Sequence, residues 1–158
     1  MCDLAKILEA MEQKRQLLRS IEEVTQEMIT CPSGKLEELM TRRDQLVAAL
    51  EKTDREMKGL CKDQEDGPAV LDAAICKGDA DRYTGAMAAV YQSAQGQRAI
   101  LSRLRDSELQ AILRLKQEQL EILDKIKSTN QGGAAKAARF FSVGSAGGSG
   151  GFSRLGKA

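Results

Sequence analysis

Between residues 3 and 30 apolar side chains recur at alternating steps of three and four. Leu4, Ile7, Met11, Leu18, Ile21 and Met28 fall on this series, with Lys14 and Thr25 in the two remaining places. A 3–4 repeat predicts one helix whose seam faces a partner helix. Asp3 is placed to cap its start, and Cys31-Pro32 ends it, because proline disfavours helical backbone at the residue before it. The pattern resumes over 34–62 with Leu36, Leu39, Arg43, Leu46, Leu50, Thr53, Met57 and Leu60. Ser33 reads as its N-cap, Glu37 and Glu38 suit the positive end of the helix dipole, and Glu38–Arg42, Glu51–Arg55 and Asp54–Lys58 are spaced as helical ion pairs. So short a link predicts that the two helices pack antiparallel.

Pro68 predicts the first position of a short third helix over 68–77, closed by Gly78. Asp79 then reads as the cap of a long helix over 79–128. Its seam is expected at Tyr83, Met87, Val90, Ala94, Gln97, Leu101, Leu104, Glu108, Ala111, Leu115, Gln119, Ile122 and Ile126. Residues 84–99 are rich in Ala and Gly. Gly96 is the weakest point, where the helix can bend, and small side chains there suit the close approach of another helix. Residues 100–126 instead hold eleven Leu and Ile, and Leu109, Leu113, Leu120 and Leu123 lie off the seam. Fifty helical residues span roughly 75 Å against roughly 40–45 Å for each hairpin helix, so this apolar half is expected to overhang and to want a partner. The expectation is therefore an all-α fold. An elongated antiparallel hairpin packs on one long C-terminal helix, a coiled-coil-like bundle of three to four helices over residues 1–129, followed by a disordered tail over 130–158.

Composition sharpens this picture at two points. Apolar residues make up 42% of the 158-residue chain and aromatic residues only 3%. All three phenylalanines, Phe140, Phe141 and Phe152, lie in the Gly-rich end, which is too poor in apolar surface to offset ordering entropy. A slim helical seam has no need of Phe, so these rings read as aromatic anchors of a short binding motif, beside Arg139 and Arg154. Net charge is +1, with Lys136, Arg139, Arg154 and Lys157 and no acid in the last 29 residues. Four charges so spread are weak electrostatics, and neither nucleic acid nor a lipid surface is expected as partner.

Candidate chemistry changes little. The chain has no histidine, which removes Ser-His, Cys-His and His-ligated metal systems. The four cysteines, at 2, 31, 61 and 76, form no CxxC pair, and the first 30 residues alternate charge with apolar side chains unlike a secretory signal. They read as reduced, packed thiols of a cytoplasmic protein. No apolar run approaches the roughly 20 residues of a membrane span. Acidic pairs such as Glu22-Glu23 read as solvated helix faces, and "GSAGGSGG" lacks the lysine of a phosphate loop. No enzyme, cofactor or metal site is expected.

"QLLRSIEEVTQEMI", a break, then "GKLEELMTRRDQLVAALEKTDREM" resembles the first two helices of the flagellar export chaperones of the FlgN and FliT type. "ILRLKQEQLEILDKIKSTNQGGAAKAARFF" is similar to that family's last helix and mobile tail. The resemblance implies a cytoplasmic, non-enzymatic chaperone that binds a late flagellar subunit, a hook-associated or filament-cap protein, and delivers it to the export gate. It places subunit binding on Ile112, Leu115, Gln119, Ile122 and Ile126, and gate contact on Phe140-Phe141, where Phe stands in place of the family's usual Tyr-Gly. The competing classes are a homodimeric coiled coil, two long helices covering each other, and a generic adaptor without an export role.

Overall fold

Asp3 opens the first helix: its carboxylate accepts from the Lys6 backbone N–H at 3.2 Å. In the computed structural model, which describes the backbone of residues 1–152 and the side chains of residues 1–133, this helix, α1, spans Leu4–Thr30. It ends where the sequence places its end, with Cys31 extended ahead of Pro32. Three further helices follow: α2 over Leu36–Cys61, α3 over Gly67–Ala74 and α4 over Gly85–Phe152. No strand occurs among the described residues. The chain divides into two units, Met1–Arg114 and a second beginning at Leu115.

In the first unit most of the expected seam of α1 is buried, and half of that of α2, while Leu4, Lys14, Arg43, Leu46, Leu50 and Leu60 are partly covered. Ile7, Met11, Leu18, Ile21, Thr25 and Met28 of α1 are buried, and so are Leu36, Leu39, Thr53 and Met57 of α2. Lys14 Nζ meets Asp54 at 2.7 Å and Arg43 Nε donates to Thr25 Oγ1 at 3.3 Å. α4 joins the same unit through polar ties to α1 and α2. Gln97, itself buried, donates to the Met11 carbonyl at 2.8 Å, Arg103 pairs with Glu22 at 2.8 Å, and Arg43 pairs with Glu108. Two apolar clusters fill the space between. One gathers Ile7, Met11, Met57, Val70, Val90 and Ala94, and the other Leu18, Ile21, Ile100 and Leu104.

The connections depart from the sequence reading. Ser33 opens a 3-10 turn, Ser33–Lys35, and α2 starts at Leu36 without a side-chain cap. The third helix stops at Ala74 instead of 77. Cys76 takes a left-handed conformation (φ 56°), its N–H bonds the Ala73 carbonyl, and the Lys77 N–H bonds the Asp72 carbonyl. That pair of bonds is a Schellman closure, and it uses up the carbonyls that a longer helix would need. Asp79 does not cap the long helix either. Ala80–Arg82 forms a 3-10 turn, Tyr83 is extended, and α4 begins at Gly85 with φ 56°. Two tyrosines hold this detour. Tyr83 Oη donates to the Lys77 carbonyl at 2.7 Å, Tyr91 Oη donates to that of Gly78 at 3.0 Å, and the rings stack 5.2 Å apart.

Two expectations about α4 are corrected. First, the buried series is Val90, Tyr91, Ala94, Gln97, Ile100, Leu104, Ser107 and Ala111, so Ile100 and Ser107 stand in place of Leu101 and Glu108, while Leu104 and Ala111 keep their expected places. Glu108 is partly covered and pairs with Arg43. Gly96 is exposed and helical, and nothing lies within 4 Å of where its Cβ would be; Ala94 makes the close approach instead. Second, α4 does not stop near 128. It runs through Gly132 and Gly133 to Phe152. Ala134-Ala135-Lys136-Ala137-Ala138-Arg139 are strong helix formers, and they carry the helix past two glycines that cost about 1 kcal/mol each. Residues 153–158 lie outside the described residues.

All four cysteines are buried and free. Burial above all, with hydrogen bonds to Asp66 and Cys61, pushes the Cys2 thiol up to about 12. The Cys2 backbone N–H donates to both Asp66 oxygens, at 2.8 and 3.1 Å, tying the start of the chain to the start of α3.

Candidate interaction surface on the last helix

Among the described side chains of α4, Ala111 is the last that is buried. From 112 to 133 no described side chain is buried; Arg114, Leu115 and Glu118 are partly covered and every residue from Gln119 onward is exposed. In the first unit Arg114 reaches the end of α1, donating from Nη1 to the Met28 carbonyl at 3.2 Å and from Nη2 to the Cys31 carbonyl. These bonds occupy carbonyls that the end of α1 leaves without intrahelical donors.

The sequence-predicted residues divide as follows. Ile112, in the first unit, is 47% exposed, and Leu115 is partly buried. Gln119 is exposed, and Ile122 and Ile126 are 54% and 50% exposed. Leu115, Gln119, Ile122 and Ile126 step by four, three and four along one side of the helix of the second unit. Leu120 and Leu123, off that series, are 63% and 51% exposed. The side chains of Phe140, Phe141 and Phe152 lie outside the described residues.

Leu109, expected off the seam, is exposed, and Leu101, expected on it, is exposed as well. Leu101 is 44% exposed, with its neighbour Ile100 buried in its place. It forms one wall of a groove of about 380 Å³ within the first unit. The groove is lined by Leu18, Ile21, Val47, Leu50, Leu101 and Leu104. Arg43, Arg105 and Glu108 stand at its edge.

Among the described residues no group of His, Cys, Asp or Glu is clustered to hold a metal ion, and no helix is long and apolar enough to cross a membrane. What the arrangement offers is contact area, Ile and Leu side chains on a helix with charged flanks. No family model, curated protein or solved structure matches the chain.

Proposed function

We propose that this chain is a cytoplasmic binding protein that takes an amphipathic helix of a client onto the face bearing Leu115, Gln119, Ile122 and Ile126. The observation that carries the reading is the exposure of Ile122 and Ile126 on a helix with no buried side chain after Ala111 among the described residues. In water, a lone helix gains little from propensity and depends on packing of its apolar face. A client helix supplies that packing in the helix-in-groove manner, with residues at i, i+3, i+4 and i+7 as anchors. The first unit, in this reading, is a bundle built on an antiparallel hairpin of α1 and α2. Two pairings support this: Lys14 with Asp54 and Thr25 with Arg43 run in opposite order along the two helices.

The sequence resemblance assigns the client as a late flagellar subunit, a hook-associated or filament-cap protein, and the role as its delivery to the export gate. Phe140-Phe141 is the proposed gate contact. Replacing Ile122 and Ile126 with Asp places charge wherever the face is covered. The variant is expected to keep its helicity and its mass and to lose a co-purifying flagellar subunit. Retention of the client would remove the assignment, and a halved mass would make the face a homodimer seam instead.

A further inference from the structure

The groove of the first unit carries a charge pattern that the second unit answers. On α4, Arg98, Leu101, Arg105 and Leu109 step by three, four and four, so they share one side of the helix. The groove edge holds three charged residues; Arg43 and Glu108 pair with each other, which leaves Arg105 as its uncompensated charge. Over residues 98–105 α4 has three arginines and no acid, and of these only Arg103 is engaged, by Glu22. The segment "QEQLEILD", residues 117–124, has the opposite composition: Glu118, Glu121 and Asp124 with no base. Leu120 and Leu123 lie among these acids, exposed at 63% and 51%. The lengths match as well. The α4 wall of the groove, Leu101 to Glu108, is two helical turns or roughly 10 Å, and so is 117–124.

We propose that the groove of the first unit receives residues 117–124 of a second copy of this chain. Leu120 and Leu123 of the incoming helix cover Leu101 and Leu104, while Glu121 and Asp124 face Arg98 and Arg105. Each copy owns both a groove and an acidic segment, so the contact is made twice in a two-fold dimer. The floor residues Leu18 and Ile21 are already buried, and the incoming leucines remove from water the rim formed by Leu101, Val47 and Leu50. This dimer does not rest on the client reading, because its charged contacts are Arg98, Arg105, Glu121 and Asp124 and its apolar ones Leu120 and Leu123, apart from the Leu115, Ile122 and Ile126 series.

The test is a charge exchange read by solution mass, with circular dichroism confirming that each variant stays helical. One variant carries Arg98→Glu and Arg105→Glu; the other carries Glu121→Arg and Asp124→Arg. The full-length chain at low salt is expected at twice its 17.2 kDa, shifting toward the monomer as salt rises. Each variant alone sets like charges against each other at both contacts and is expected at the monomer mass. An equimolar mixture of the two variants restores opposite charges at both contacts and is expected to return to the dimer mass. A monomeric parent chain, dimeric single variants, or a mixture that stays monomeric would each overturn the proposal.

Discussion

Truncating Leu104 and Ile122 to alanine, one at a time, separates residues that hold the fold from residues that are held out for contact. Both lie on α4 and both lose a branched side chain. Leu104 is 6% exposed and packs in the cluster of Leu18, Ile21 and Ile100. Removing it costs the transfer energy of the lost carbons plus a cavity, about 2–5 kcal/mol. Ile122 is 54% exposed. It has little packing to lose, and alanine is the better helix former, so its truncation is expected within about 0.5 kcal/mol of zero. At about 4 °C per kcal/mol for a unit of this size, Leu104→Ala should lower the melting midpoint by roughly 8–20 °C, and Ile122→Ala by no more than about 2 °C. The stacked pair Tyr83 and Tyr91 sits in the first unit and the chain has no tryptophan, so near-ultraviolet dichroism of tyrosine reports that unit's melting directly. Urea titration gives the free energies. A loss above about 1.5 kcal/mol for Ile122→Ala would mean that this side chain is buried in the chain's own fold, and the interaction surface would fall with it.

Gly67→Ala should destabilise the first unit by about 1–3 kcal/mol, because an added Cβ would sit 2.2 Å from the Cys61 carbonyl oxygen; an unchanged urea midpoint would refute the contact. Asp66 gives an acid-limb prediction. Hydrogen bonds from the Cys2 backbone N–H hold its carboxyl below the ordinary 3.8, so the folded state favours the carboxylate. Its contribution is present above about pH 3.8 and is lost as pH falls through the lower folded value, so Asp66→Asn should flatten the dependence of the melting temperature on pH in that range. An identical acid limb in the variant would show that the carboxylate is not linked to folding.

Elements whose cause is local are legible in the chain. The 3–4 spacing picks out the inward side of α1 and α2, though not buried Val24 and Cys61, because a helix's period is fixed by its own backbone and the apolar stripe is what can be covered. Pro32 fixed the end of α1 for the same kind of reason. The eleven Leu and Ile of 100–126 already exceeded what one seam can use, and that surplus is what the exposed face of α4 consists of. Where cause is distant, only the tertiary structure decided. The start of α4 depends on Tyr83 and Tyr91 reaching the carbonyls of Lys77 and Gly78, and a capping motif at Asp79 carries no trace of them. The end of α3 depends on Cys76 holding a left-handed backbone, a conformation that sequence alone would sooner assign to Gly78. Leu101 and Ile100 are neighbours of equal hydrophobicity. Ile100 is the one that turns inward, onto Leu18 and Ile21, one turn beyond Gln97, which anchors on the Met11 carbonyl, a contact across 86 residues of chain.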